Sequence, residues 1–413
     1  MSISAQDRAT LRSLAERYTE LANLDVQKER IERYYKTNAL EEVRPVVLIH
    51  EIPWGEIRSD ALANTCSKEL RWLETELRQT LYRWQHFQVD MVIPPAFGVA
   101  KRRRSTGIGL DVDEVRIQGD TGAYIAAHEY KDILKTDEDL EKLEFPTITY
   151  DKEATERAAE QAQEVFDGLM PVELRGVGLH YNMWDRISTY RGVDSLLLDL
   201  AMRPEFMHRV AQRFTDIAES MFRQLEEQDM LDPYQMLVHC TVAYARDLPA
   251  DDFSGKARAK DVWGRCAAQI FGSVSPRMHD EFDLVYNEKL FRDCGLVYYG
   301  CCEPMDNKVD ILRKRFKNLR KISITPWADS RRAAENIGKD FVLAAKPNPA
   351  FVSSETFNPK PVEDEMIAYI EPCLEHGTTC EFVLKDISTI ANRSENLTQW
   401  ADTVMAVVDR YYG

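Results

Sequence analysis

Short apolar runs recur along the chain, each followed by polar residues and then by a segment whose apolar side chains have helical spacing. Such runs are typical of buried strands when they are rich in β-branched or aromatic residues. The runs predicted as strands are 46–49, 89–93, 174–179, 235–238, 267–271, 296–299, 321–324, 341–344 and 380–384. Helices are predicted between most of them, at 204–228, 278–294, 307–316, 330–337 and 363–376.

Strands that alternate with helices form parallel sheets, and regular repetition of the unit favours a closed sheet. We therefore predict an α/β protein with a (β/α)8 TIM barrel, formed by a catalytic domain at 44–413. Residues 5–37 have apolar side chains at helical spacing, which predicts an N-terminal helical extension at 1–43. The stretch at about 101–165 interrupts the alternation and is predicted to be an insertion or lid.

The charge balance limits the classes of partner. The 413 residues include 53 Lys and Arg against 69 Asp and Glu, a formal net charge of −16. Nucleic acid and anionic membranes need clustered positive charge, so neither is expected as a main partner. The basic run 101–104 is predicted to be a solvated loop. The more specific alternative is that this run binds a phosphate group or docks a partner.

The chain has no apolar stretch of membrane-spanning length, and its polar N-terminus lacks the apolar core of a signal peptide. A cytoplasmic location is therefore expected. Thiols stay reduced in that compartment, so the 8 cysteines are interpreted as core residues, metal ligands or reactive thiols.

Residues just past the strands of a parallel βα barrel face a common mouth, where active sites are built. The strand tips are therefore the candidate site. The candidate metal ligands are thiols and an imidazole, which suit zinc: Cys301, Cys302 and His239. The candidate proton donors or catalytic groups are Glu303, Asp386, His239 and Tyr299. Polar anchors and aromatic walls for a small organic substrate are His180, Tyr181, Trp184, Gln269, Phe271, Trp327 and Lys385.

Each candidate also has a simpler structural interpretation. The aromatic residues and one of the two adjacent cysteines can be core packing. His239 can be a hydrogen-bonded wall residue, and Lys385 with Asp386 can be an ion pair closing the barrel rim. Lys346, which precedes Pro347, is either a Schiff-base lysine or a solvated amine on a rigid loop.

Four stretches within residues 165–410 resemble the uroporphyrinogen decarboxylase superfamily. The first is Tyr-Asn-Met-Trp at 181–184, with Tyr-Arg-Gly at 190–192 and Arg-Pro-Glu at 203–205. The others are 269–282, with its Ser-Pro turn, Tyr-Gly-Cys-Cys at 299–302 and Lys-Asp-Ile-Ser-Thr at 385–389, continuing to Leu397. The last two combinations are most similar to the corrinoid-dependent methyltransferases, of the methyltransferase I type found in O-demethylases.

The resemblance implies an enzyme that removes a methyl group from a small donor, foremost an aryl methyl ether, and passes it to cobalt(I). The corrinoid would be supplied by a partner protein, and zinc would be the metal. Tyr299 stands where these methyltransferases carry a histidine ligand, and Asp386 stands near an expected cysteine. Barrels of this kind often pair, so a homodimer is compatible with the sequence.

Other functions remain open from sequence. A decarboxylase-like lyase acting on a polycarboxylate predicts arginines at the mouth, but the family's Arg-rich signature is absent near 44–54. The nearby candidates are Arg175, Arg186, Arg191 and Arg246. A class I aldolase-type lyase would use Lys346 or Lys385. A non-catalytic barrel would bind a corrinoid protein without turnover.

Overall fold

The centre of the molecule is a parallel β-sheet. The computed structural model describes residues 3–117 and 127–413. Within them the sheet has seven strands. In spatial order these are Val46–Ile49, Cys380–Leu384, Val342–Ala345, Leu319–Ile324, Leu296–Tyr299, Trp263–Cys266 and Leu179–His180. All six pairings are parallel, which confirms the predicted α/β class.

One face of each strand packs against helices. Alternate residues such as Val297, Ile322 and Phe382 join the main apolar cluster with helical side chains. The longer helices are Ala5–Ala22, Asp25–Asn38, Arg71–Phe87, Lys152–Phe166, Met183–Arg191, Val193–Met202, Pro204–Glu227, Ser330–Ile337, Pro359–His376 and Glu395–Tyr412. Among the described residues no helix combines the length and apolar character needed to cross a bilayer.

Three predicted strands differ from the structure. The run 174–179 is divided into Val172–Arg175, which pairs in parallel with Phe97–Ala100, and Leu179–His180, which joins the central sheet. The run 89–93 is a loop, because Val89 has a positive φ of 37° and the buried Asp90 carboxylate is bound to Arg33 and Arg44. The run 267–271 lies after its strand, which is Trp263–Cys266. Its apolar residues continue into a 3-10 helix, Gln269–Ser273, so the apolar pattern placed this strand too late.

The sheet is not closed by a regular eighth strand within the described residues. Its end strands, Val46–Ile49 and Leu179–His180, do not pair with each other. Val177 forms a single parallel bridge to Leu231, where the chain enters an irregular segment. A closed barrel is therefore not seen as continuous strand pairing.

A β-hairpin instead lies against the face of the sheet that the helices leave free. Its strands are Leu237–Val238 and Thr241–Val242. Val238 packs with inward side chains of the sheet, including Trp263 and Tyr298. The hairpin therefore fills the interior of the curved sheet, as barrel side chains do in closed barrels.

A buried ion pair holds the base of this hairpin. The Lys321 ammonium lies 3.0 Å from the Glu381 carboxylate, and both side chains are fully buried. Lys321 also donates a hydrogen bond of 2.6 Å to the carbonyl of Val242. The Glu381 carboxylate accepts a longer one, of 3.4 Å, from the Val242 N–H. The pair thus links two sheet strands to the hairpin.

The N-terminal part of the described chain forms the helices Ala5–Ala22 and Asp25–Asn38. Residues 1–2 of the predicted extension lie outside the described residues. The first helix packs with Arg71–Phe87 and Lys152–Phe166 around a second apolar cluster. The end of the predicted insertion therefore belongs with the N-terminal part of the chain.

The remaining insertion lies along the helix Pro204–Glu227. It forms short strands, Arg103–Ser105 paired with Ile148–Tyr150 and Glu114–Ile117 paired with Ala127–Tyr130. Gln224 of the long helix and Gln228, which caps its end, accept hydrogen bonds from backbone N–H groups of the strand Ile148–Tyr150. Residues 118–126 of the predicted insertion lie outside the described residues. In the basic run 101–104, Lys101 and Arg104 form ion pairs with Asp229 and Asp151.

The buried ion pair gives a first prediction. Lys321→Met or Glu381→Leu alone should lower the free energy of unfolding by about 3–5 kcal/mol, because each leaves an unpaired buried charge. The double variant, with matched apolar side chains, should be more stable than either single variant. Denaturant unfolding followed by circular dichroism measures both. A double variant no more stable than the singles would contradict the pairing.

Candidate functional site

Chemically reactive side chains converge at the carboxyl ends of the sheet strands. They come from four chain segments that are far apart in sequence. We call this cluster the thiol site and define it as Glu51, His239, Cys240, Cys301, Cys302, Lys385 and Asp386. Parallel strands bring these segments together because their carboxyl ends share one edge.

His239 and Cys240 form the tip of the interior hairpin. Their φ angles are +42° and +69°, the backbone pattern of a two-residue type I′ turn. Gly and Asn are the usual residues there, so a His-Cys tip is strained. The turn places His239 Nε2 3.2 Å from Cys301 Sγ. Burial, with the nearby Arg265 and Lys385, holds the pKa of His239 far below its usual range, so the imidazole is neutral.

The turn after the Leu296–Tyr299 strand presents Cys301. Gly300 has a φ of +100°, which a side chain would strain. The Glu303 carboxylate accepts hydrogen bonds from the N–H groups of Cys301, at 2.9 Å, and Ala268, at 3.1 Å. Glu303 is only 1% exposed. The structure therefore places this predicted catalytic group beneath the turn, where it holds the backbone.

The Cys301 thiol lies among groups that favour its ionised form. A hydrogen bond from Cys302, whose Sγ is 3.5 Å away, lowers the pKa of Cys301 most. Burial opposes this, and the charges of Arg265 and Lys385 lower it further, to about 7. The pKa of Cys302 is raised, chiefly because its proton is engaged with Cys301. One thiolate and one thiol therefore stand side by side near neutral pH.

A lysine and two carboxylates complete the thiol site. Lys385 Nζ lies 2.6 Å from Asp386 Oδ2 and 3.4 Å from Cys301 Sγ. Burial alone would lower the pKa of Lys385, but the Cys301 thiolate and Asp386 raise it well above its usual value. The Asp386 N–H donates a 2.9 Å hydrogen bond to Glu51. Glu51 and Asp386 also have positive φ angles, of 52° and 56°.

The donor set can hold a metal ion. The ligand atoms of Glu51, His239 and Cys240 all lie within 4.8 Å of one another. Ligands of a tetrahedral zinc are separated by roughly 3–4 Å, given bonds of about 2.0–2.3 Å. Cys301 lies close to the shared His239. A neutral imidazole, thiols and a carboxylate are the ligand types zinc takes, so these residues fit that metal.

A cavity of about 390 Å³ opens beside the thiol site. It has room for a small organic molecule. Its lining includes Cys301, Cys302, Lys385 and Asp386, together with Thr325, Pro326, Trp327, Lys346, Pro347, Asn348, Pro349, Ala350, Ser353, Ser388 and Thr389. Trp327, predicted as a substrate contact, is 71% exposed at this cavity and supplies an aromatic wall.

Other predicted site residues lie away from the cavity. Trp184 and Phe271 are fully buried and pack on each other with ring centroids 5.0 Å apart. The Gln269 amide donates to Asp185 at 2.9 Å. Tyr181 is partly buried and packs against the apolar clusters. These four side chains therefore support the structure around the site and do not line the cavity.

Tyr299 and His180 occupy different sides of the sheet. Tyr299 is fully buried on the helix-facing side, where its hydroxyl donates to Asp283 and contacts His279. Its neighbour Tyr298 faces the interior instead. His180 lies at the sheet edge, hydrogen-bonded to Arg265, and its ring centroid is 5.8 Å from that of His239.

Glu51, Cys240 and Lys346 are the site residues that sequence reasoning did not select as ligands or substrate contacts. All three follow strand ends or a hairpin strand, so the strand-tip rule already contained them. Lys346 was considered only as a Schiff-base lysine or a solvated amine. Burial lowers its pKa to about 8, with Glu381 opposing the shift.

The arginines named for a decarboxylase lie elsewhere. Arg191 is buried against Asp199, Arg175 pairs with Asp232, and Arg246 pairs with Glu32. Arg186 stacks near Tyr190. No arginine lines the cavity in the part of the chain that the structure describes. As far as the described residues show, this cavity therefore lacks the guanidinium groups that a polycarboxylate would require.

Comparison with known proteins finds similar solved structures but no matching sequence family. No protein-family model and no curated protein sequence matches the chain. The solved structure of a methyltransferase from Methanosarcina mazei is similar, with 12% sequence identity and a TM-score of 0.49. The similarity covers 93% of this chain and 99% of that chain.

The paired thiols give a second prediction. Cys302→Ala should raise the pKa of the Cys301 thiol from about 7 toward its ordinary value, because the largest stabilising hydrogen bond is lost. The ultraviolet absorbance of the thiolate, followed against pH in metal-free protein, measures this. Cys66→Ala, a buried thiol in the N-terminal cluster, is the control. An unchanged transition in Cys302→Ala would contradict the assignment.

Proposed function

We propose that this protein is a methyltransferase that takes a methyl group from a small donor, foremost an aryl methyl ether, and delivers it to a corrinoid protein. The observation that supports this best is the convergence of His239, Cys240 and Cys301 with carboxylates beside a small cavity. The choice of methyl transfer among metal-assisted reactions follows from the resemblance of segments 299–302 and 385–389 to the corrinoid methyltransferases.

The proposal also includes the fold, which we interpret as a (β/α)8 barrel. The seven parallel strands would correspond to seven positions of a (β/α)8 barrel, and the irregular chain from Leu231 to the interior hairpin would occupy the eighth. The Val177–Leu231 bridge supports this because it is parallel, as a barrel neighbour would be.

Zinc would be held by His239 and Cys301, with Cys240 or Glu51 completing the set. This set of ligand types favours zinc because His239 is neutral and Cys301 ionises near neutral pH. Cys302 supports Cys301 by its hydrogen bond. A bound zinc supplies a Lewis acid for the leaving atom of the donor.

The chain's own charges would favour departure of the leaving group. When the methyl carbon is taken, the oxygen of an aryl ether keeps the bonding electron pair and becomes negative. Lys385 stays protonated because its pKa is raised, so it stabilises this charge electrostatically rather than by giving up its proton. Asp386 and Cys301 hold the ammonium in place. The corrinoid supplied by the partner is the methyl acceptor.

The cavity would position the donor. Trp327 lies at its exposed rim, and Thr325 and Lys346 line it. Because the cavity opens at the carboxyl edge of the sheet, the corrinoid protein would dock there. Holding donor and acceptor in line lowers the barrier by about 7–11 kcal/mol at best.

The proposal predicts both metal content and turnover. Zinc-loaded protein, mixed with chemically reduced cobalamin and a methoxybenzoate, should form methylcobalamin, seen by its absorbance. His239→Ala and Cys301→Ser should each lose bound zinc and slow methyl transfer by about 100-fold or more, since ligands matter at least as much as their supporting residues.

Cys66→Ala is the matched control, because its thiol is buried far from the thiol site and should not affect zinc or rate. Full zinc content in both ligand variants would exclude the metal assignment. Failure to methylate cobalamin with methoxyarene, amine, thioether and alcohol donors alike would exclude methyl transfer.

A further inference from the structure

Lys346 is a buried cation at the end of the Val342–Ala345 strand. Its backbone N–H donates to the Ile324 carbonyl at 2.8 Å, which fixes the residue at the carboxyl edge. The side chain is only 4% exposed. Its ammonium has no hydrogen-bond partner among residues 3–117 and 127–413. The interpretation of Lys346 as a solvated amine is therefore wrong.

The other buried lysines all have hydrogen-bond or ion-pair partners, and that of Lys308 is the Phe271 carbonyl, at 2.8 Å. Lys321 is paired with Glu381 at 3.0 Å, and Lys385 with Asp386 at 2.6 Å. Lys346 instead faces the ring of Tyr298, at 5.6 Å from its centroid. A buried ammonium without a partner is unfavourable, so its presence calls for an anion that arrives from outside.

The position of Lys346 shows where that anion would sit. Lys346 lines the 390 Å³ cavity, which also reaches Cys301 and Cys302 of the thiol site. Two further buried polar atoms, the Tyr298 hydroxyl and His50 Nε2, likewise have no partner within the described chain. Neither Tyr298 nor His50 lines the cavity, so of these three groups Lys346 is the one that offers a positive charge to a ligand in the cavity that the thiols also line.

We propose that Lys346 anchors the anionic head group, a carboxylate or sulfonate, of the small organic molecule that binds in this cavity. With its anionic group bound to Lys346, the rest of the molecule would extend toward the thiol site. Taking that molecule to be the methyl donor rests on the proposed function, but the anion site does not. The inference narrows the donors to anionic ones and disfavours quaternary ammonium donors, which Lys346 would repel.

Calorimetry with a pair of probes of matched shape tests this. Benzoate and benzamide differ in charge but not in outline, and Trp327 offers both an aromatic surface. The metal-free protein at neutral pH should bind benzoate at least about tenfold more tightly than benzamide, as expected for a charge-assisted hydrogen bond. Lys346→Met should abolish this preference, and Lys346→Arg should retain most of it.

Lys339→Met is the matched control, because Lys339 is exposed near the opposite end of the same strand, Val342–Ala345. It should leave the preference unchanged. Equal binding of the two probes to the wild-type protein, or no binding of either, overturns the proposal without needing any variant. A preference that survives in Lys346→Met also overturns it.

The measurement is independent of methyl transfer, because it needs neither zinc nor a corrinoid. Benzoate selectivity without formation of methylcobalamin would refute the proposed function and leave the anion site standing. Methyl transfer from neutral donors without benzoate selectivity would support the proposed function and refute the anion site.

Discussion

The arrangement of the thiol site depends on the ion pair between Lys321 and Glu381. This pair lies in the interior of the sheet and binds the N–H and the carbonyl of Val242, and the carbonyl also accepts a hydrogen bond from Asn38. Polar backbone can enter an apolar interior only if such partners exist. The hairpin can therefore lie inside the sheet, and its tip can bring His239 to Cys301. Without the pair, the hairpin would not hold the His239 imidazole next to the Cys301 thiol.

Backbone strain is concentrated at the same place. Glu51, His239, Cys240 and Asp386 all have positive φ angles, although none is glycine. Each such residue costs of order 1–3 kcal/mol and persists where surrounding structure enforces it. Four of them in one cluster indicate that side-chain chemistry, rather than turn stability, determines which residues stand there. This supports a functional interpretation on geometry alone, independently of any resemblance.

The sequence predicted where the site lies more accurately than which residues form it. The strand-tip rule brought together Cys301, Cys302, His239, Lys385 and Asp386, because the carboxyl edge of a parallel sheet is shared. It could not separate Tyr298 from Tyr299, since both faces of these strands are buried and the apolar pattern does not alternate. Trp184 and Phe271 follow strands in sequence but turn into the helical core.

The hairpin was beyond sequence reasoning for a different reason. A strand was predicted at 235–238, but nothing in an apolar run of that length shows whether it joins a sheet or lies inside one. The information that decides this is distributed over Lys321, Glu381 and Val242, which are far apart in the chain. Buried charges in predicted central strands were the available signal, because a barrel interior rarely accepts them unpaired.

The charges around the cavity are distributed unevenly, and this asymmetry has a consequence for any ligand. The thiol-site end carries Glu51, Asp386 and the ionisable Cys301 against the single ammonium of Lys385. At Lys346 the cavity has a cation with no hydrogen-bond partner in the described chain. The first end attracts a metal cation and Lys346 an anionic group. A molecule with one anionic end is therefore oriented before it touches the thiols, and orientation of this kind is what a transfer reaction between two bound partners requires.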